Sequence, residues 1–168
     1  QVAISMSALE ALKNRKQSRV HVYIPVDPIL AQASLKNNNK SKNIEQTFRL
    51  IKFATTEGFE VQFSAEGYSK LNHNFDYVSD LFIAAVEAGA TILNCPDTIG
   101  GSSVHENGMY FVKNINRHNH IIKSLFPKKE ITWSVHCHND LGLALTNSIN
   151  AVDSGIIRQV EGCINGVG

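Results

Sequence analysis

The strongest constraint on this chain is its rhythm. Short β-branched or aromatic runs alternate with longer amphipathic stretches, with no hairpin signal between them. The short runs are Arg19 to Pro25, Phe59 to Ser64, Thr91 to Cys95, Ile131 to Cys137 and Ile156 to Ile164. The longer stretches, Ile44 to Thr56, Phe75 to Ala88, Met109 to Phe126 and Gly142 to Val152, carry apolar residues at helical spacing. Gly58, Gly89 and Gly155 fall just past three of them, where a left-handed cap is wanted. Lys36 to Asn43 is polar and low in complexity, and is expected to be an exposed loop. Strand–helix alternation of this kind predicts a parallel sheet built from right-handed crossovers. A dinucleotide-binding sheet would show G-x-G-x-x-G after its first strand, and the sequence has none.

Polar groups of catalytic type recur at every strand end, where parallel α/β folds place their chemistry. The first strand holds His21 and leads to Asp27; the second ends Ser64-Ala65-Glu66; the third ends Asn94-Cys95-Pro96-Asp97-Thr98. The fourth ends His136-Cys137-His138-Asn139-Asp140, and the fifth leads to Glu161 and Asn165-Gly166-Val167-Gly168. A closed (β/α)8 barrel gathers all its strand ends around one mouth, so the reading is an α/β TIM-barrel type, here an incomplete barrel of about five βα units spanning residues 1–168 as one partial domain.

The sharpest feature is His136-x-His138. Residues two apart in a strand share a side, so two imidazoles would project together, as a metal site requires. Cys137 would face the helices as a buried thiol. Asn139 and Asp140 would orient the imidazoles or cap the next helix. Glu66 and Ser64, two apart, could line a pocket or handle a proton. Thr98 could hydrogen-bond a substrate carboxylate or serve as a turn residue. His21, taken alone, reads as a core histidine. The Gly100–Ser103 run could cradle an anion or simply be a flexible loop. Cys95 and Cys163 read as small core residues, and His105, His118 and His120 as members of a polar helical face without a role.

Composition narrows the classes. Sixteen Lys and Arg against fifteen Asp and Glu give a net charge of +1, which argues against a nucleic-acid partner. No apolar run approaches the ~20 residues of a membrane helix. Three widely spaced cysteines argue for a reducing, cytoplasmic setting rather than a disulfide scaffold. The chain opens without Met and stops inside a Gly-rich run, so both ends are expected to be cut.

The stretch Val135-His136-Cys137-His138-Asn139-Asp140-Leu141-Gly142, followed by Asn147-Ser148 and Gln159-Val160-Glu161-Gly162-Cys163-Ile164-Asn165-Gly166-Val167-Gly168, resembles the signature of the 2-isopropylmalate synthase family. Homocitrate and citramalate synthases share it, and hydroxymethylglutaryl-CoA lyase is a more distant relative. Phe63–Ser69 and Asn94–Gly100 resemble the family's neighbouring strand ends. The resemblance implies a metal-dependent Claisen condensation of acetyl-CoA, as co-substrate, with a 2-oxo acid in a TIM barrel, within leucine biosynthesis, by a full-length homodimer. It gives His136 and His138 the divalent metal (Mn2+, Mg2+ or Zn2+) and His21, Ser64 and Thr98 the 2-oxo acid. It makes Glu66 the catalytic acid–base candidate and assigns Asn165, Gly166 and Gly168 to cofactor binding.

The family's Arg-Asp-Gly-Glu motif and its Glu-Arg-x-Gly-Asn continuation are absent, so the resemblance covers strands four to eight and two of four expected metal ligands. Five strands cannot close a barrel, and their inner face is expected to be apolar with unpaired edges. Alone, the 168 residues are expected to bind metal weakly and not to turn over. Two other readings stay open. One is a metallohydrolase barrel, in which such a His pair normally opens the barrel rather than falling late. The other is a structural piece without chemistry.

Overall fold

The computed structural model describes residues 18–35, 39–70, 74–102 and 110–166. Five strands form one parallel sheet: β1 (Arg19–Pro25), β2 (Glu60–Glu66), β3 (Ile92–Asp97), β4 (Thr132–Cys137) and β5 (Ile157–Glu161). Five α-helices connect them: α1 (Pro28–Leu35), α2 (Lys40–Thr56), α3 (Phe75–Ala88), α4 (Tyr110–Leu125) and α5 (Ala144–Asp153). The sheet order is β1-β2-β3-β4-β5, so every crossover steps the same way. A doubly wound sheet would reverse once; this one advances like an arc of barrel. Among the described residues no helix is long and apolar enough to cross a membrane.

Alternation within each strand separates two faces. Val61, Phe63, Ala65, Leu93, Cys95, Trp133 and Val135 point outward and are buried under Ile51, Val78, Leu81, Phe82 and Ile115 of the helices. The opposite face carries Arg19, His21, Gln62, Ser64, Asn94, Ser134, Gln159 and Glu161, joined by side-chain hydrogen bonds. The expected apolar inner face is therefore wrong: it is a polar network. One of its bonds also measures the curvature. In a flat sheet β1 and β5 would stand about 19 Å apart. Here Arg19 Nη1 on β1 donates to Gln159 Oε1 on β5 at 3.0 Å, across the concave side. The sheet is curled like a barrel wall.

Two local expectations also fail. Residues Lys40 to Asn43 belong to α2, whose N-cap is Asn39, its side chain accepting from Lys42 N at 2.9 Å; polarity there reflects a solvated first turn rather than a loop. Helix α1 was not expected, being a single short apolar stretch. Asp27 caps it, accepting from Ile29 N and Leu30 N at 3.0 Å each, so this strand-end carboxylate is structural. Gly89 takes φ 112° at the end of α3, the left-handed cap the sequence asks for.

Candidate active site at the carboxyl ends of the strands

The register stacks the inward side chains in rows. Tyr23, Ser64, Asn94, Ser134 and Gln159 lie side by side, and His136 pairs with Pro96 and Glu161 one pleat nearer the carboxyl ends. His136 and His138 face the same side, their ring centroids 4.9 Å apart and nearly perpendicular. His136 Nδ1 lies 3.2 Å from the main-chain oxygen of Glu161. A carbonyl only accepts, so Nδ1 carries the proton and the Nε2 lone pair is left for a cation. This donor chemistry fits the nitrogen share of a nitrogen–oxygen metal site. Among the described residues no group of three or more His, Cys, Asp or Glu side chains is placed to hold one ion.

On β1 and β2, His21 Nε2 and Ser64 Oγ are 2.6 Å apart, and Ser64 Oγ accepts from Asn94 Nδ2 at 2.9 Å. His21 is exposed on the inner face, not packed in the core as a lone strand histidine would be. Glu66, at the end of β2, accepts from Thr98 Oγ1 at 3.0 Å, and the same hydroxyl oxygen accepts from Gly67 N at 2.8 Å. Thr98 thus spends its proton on Glu66 while tying two strand ends together. The structure brings His21 to Ser64, Glu66 to Thr98, and His136 to His138. Asn165 and Gly166 are exposed in a short 3-10 turn, and among the described residues no hydrogen bond joins them to these groups. Gly168, like Ser103, His105 and Met109, lies outside the described residues.

Cys137 faces the helices as expected. Burial pushes its thiol up, a hydrogen bond from Ser148 opposes that, and the neighbouring Asp97 charge adds to it. Burial holds the fully enclosed Cys95 well above the ordinary thiol range. Cys163, expected in the core, is exposed, because it lies beyond β5 where no described helix covers the sheet. His118 also departs from expectation: it is 1% exposed, among Phe75, Phe82 and Tyr68. Asn139 accepts from Ala144 N at 3.2 Å, serving the turn into α5 rather than an imidazole.

Glu161 is legible in the sequence only as a polar residue of the last strand run; the structure makes it a hub. Its carboxylate accepts from Ser134 Oγ at 2.6 Å and from Gln62 and Gln159 Nε2 at 2.9 Å each. Asn94 and Asp97 were likewise read only as strand-end polarity. The available signal was the two-residue spacing of Gln62, Ser64 and Glu66, of Ser134 and His136, and of Gln159 and Glu161.

Residues 2–168 match the HMGL-like family description over nearly their whole length. The chain belongs to the HMGL-like family. This HMGL-like chain is 36% identical over 162 residues to the 2-isopropylmalate synthase of Oceanobacillus iheyensis, covering 96% of this chain and 29% of that protein. It is 37% identical over 161 residues to the 2-isopropylmalate synthase of Heliobacterium modesticaldum, with the same coverage of 96% and 29%. It therefore spans under a third of these relatives' length. In fold it is similar to the hydroxymethylglutaryl-CoA lyase of Pseudomonas aeruginosa (TM-score 0.69, 17% identity, covering 97% of this chain and 51% of that one). The corresponding lyase of Bacillus subtilis gives a TM-score of 0.66 at 17% identity, covering 89% and 48%. These likenesses show the partial TIM-barrel fold.

Proposed function

We propose that this chain is the metal- and 2-oxo-acid-holding part of a 2-isopropylmalate synthase, a cytoplasmic transferase of leucine biosynthesis that joins acetyl-CoA to 2-oxoisovalerate. The observation that carries the reading is the His136–His138 pair, one pleat nearer the carboxyl ends than the inward row that holds Ser64, whose hydroxyl His21 reaches from β1. The 36% and 37% identities to two such synthases support the substrate class.

His136 and His138 would hold a divalent cation, Mn2+, Mg2+ or Zn2+, whose chemistry when bound is Lewis-acid polarisation of the keto carbonyl. The Glu161 carbonyl keeps His136 in the tautomer that leaves Nε2 free. Ser64 and His21 bind and orient the 2-oxo acid with hydroxyl and imidazole groups already held 2.6 Å apart. Glu66, steadied on one oxygen by Thr98, is the group that handles the proton. The acetyl methyl group loses a proton, its carbon attacks the keto carbon, and water cleaves the thioester to release coenzyme A.

The test is a graft. This chain replaces the matching segment of the Oceanobacillus iheyensis synthase, and coenzyme A release is followed with 2-oxoisovalerate, pyruvate and 2-oxoglutarate. Release should be greatest with 2-oxoisovalerate and should fall on Glu66→Gln. Isothermal titration with Mn2+, Mg2+ and Zn2+ should show binding that His138→Ala removes. Preference for pyruvate or 2-oxoglutarate would reassign the substrate, and binding untouched by His138→Ala would overturn the metal assignment.

A further inference from the structure

Asp97 ends β3 on the helix side of the sheet, away from the pocket, and is fully buried. Its carboxylate accepts from Ser69 Oγ at 2.6 Å, Ser102 N at 3.0 Å, Gly101 N at 3.3 Å and Asn147 Nδ2 at 3.4 Å. All four partners donate, so the group acts only as an acceptor. Among the described residues no ion pair reaches it. Of the two readings open for the glycine-rich loop, an anion cradle or a flexible loop, its N–H groups do hold a carboxylate, and it is the chain's own Asp97. The main-chain oxygen of the same residue accepts from His138 N and Gly100 N at 3.1 Å each. The donors come from the turn after β2, the loop after β3, α5 and the end of β4. Gly100, at φ 58°, presses this loop so close to the turn after β4 that an added Cβ would lie 2.7 Å from Asp140 Oδ2.

We propose that Asp97 is a positioning residue for the site: a buried internal anion that locks three strand-end loops together and so fixes Thr98, the next residue, and His138. Its affinity arm rests on the metal reading of His136 and His138; its geometry does not.

The test compares the full chain with its Asp97→Asn and Ser69→Ala variants. Asn keeps the shape but turns an N–H group toward groups that already donate; Ser69→Ala removes only the 2.6 Å donor and guards against a variant that does not fold. Backbone amide exchange is read at Gly101, Ser102 and His138, and at Gly67, whose N–H reports on Thr98. In Asp97→Asn these four should exchange about tenfold faster or more, while Val61, Leu93 and Trp133 stay within about twofold. Ser69→Ala should shift them the same way by about threefold. Mn2+ affinity should weaken about tenfold in Asp97→Asn, with both imidazoles intact. Unchanged exchange at these amides in the variants that fold, or faster exchange with unaltered Mn2+ affinity, would overturn the proposal. If the unsubstituted chain binds no Mn2+, the metal reading fails, and the exchange pattern alone decides the role of Asp97.

Discussion

His118 gives the sharpest quantitative prediction. The ring lies between α3 and α4, stacked on Phe75 at 4.1 Å and edge-on to Phe82 at 5.1 Å. Its Nε2 faces the Phe75 carbonyl at 3.4 Å, so Nε2 carries the proton and Nδ1 accepts from the Tyr68 hydroxyl at 2.8 Å. Burial pushes the imidazole down from 6.5 to about 4; the neighbouring Arg117 charge lowers it further, and backbone bonds to Phe75 and Asn114 oppose the shift. The unfolded chain therefore binds this proton before the folded one does. The stability that the neutral ring contributes is present above pH 6.5 and is lost as pH falls toward about 4. Linkage puts the loss at about 2 kcal/mol between pH 7.5 and 5, approaching about 3 kcal/mol below pH 4.

The assay is urea unfolding at pH 7.5, 6 and 5, comparing the chain with the double variant His118→Phe/Tyr68→Phe. The second substitution removes the hydroxyl that donates to the imidazole, so that the pair is replaced together. With an m-value of about 2 kcal/mol/M, the midpoint should fall by about 1 M more in the unsubstituted chain than in the variant over this range. Every other histidine is common to the two proteins and cancels in the difference. An equal pH slope in the two would refute the claim that His118 is kept neutral by burial.

A thiol reagent should label exposed Cys163 quickly, half-buried Cys137 slowly, and buried Cys95 only on unfolding; early labelling of Cys95 would contradict its burial. Gly100→Ala should cost about 1–3 kcal/mol by urea unfolding, because φ is 58° and the added carbon would meet Asp140 N at 2.8 Å. Glu161→Leu should cost about 2–4 kcal/mol, since it strands the Ser134 and Gln62 donors against an apolar group; a loss under about 0.5 kcal/mol would show that the network does not hold the inner face.

The outward half of each strand was legible because burial under helices demands β-branched and aromatic residues, as in Val61-x-Phe63 and Trp133-x-Val135. The α3 stretch Phe75–Ala88 was legible to its ends, its periodicity being closed by Gly89. Local chemistry failed where a tertiary neighbour decides the outcome. His118 reads as polar beside Arg117, Asn119 and His120, yet an imidazole with one donor and one acceptor can be enclosed if Tyr68 and Phe75 satisfy both. The Gly100–Gly101–Ser102 loop reads either as a flexible loop or as an anion cradle, and nothing local shows that Asp97, a few residues before it, is what its N–H groups hold. Thr98 reads either as a donor for substrate or as a turn residue; only the convergence of β2 and β3 turns its proton toward Glu66.

The inner face explains why candidate side chains at the strand ends are visible in the sequence while their supporting bonds are not. A parallel sheet covered by helices on one side would be expected to hide apolar side chains on the other, and polar groups there cost free energy unless each finds a partner. Here the partners come from strands far apart in sequence: Arg19 reaches Gln159, and Gln62 reaches Glu161, 99 residues away. Such pairs exist only because the sheet curls. The same curvature that lets Arg19 cross from β1 to β5 turns the row of Ser64, Asn94 and Ser134 toward a common axis, with His136 one pleat above it. Glu161 then acts at two levels, its carboxylate gathering the row below and its main-chain carbonyl fixing His136 above. Sheet curvature, network and imidazole pair are one device, so a change that flattens the network should loosen the pair without touching either imidazole.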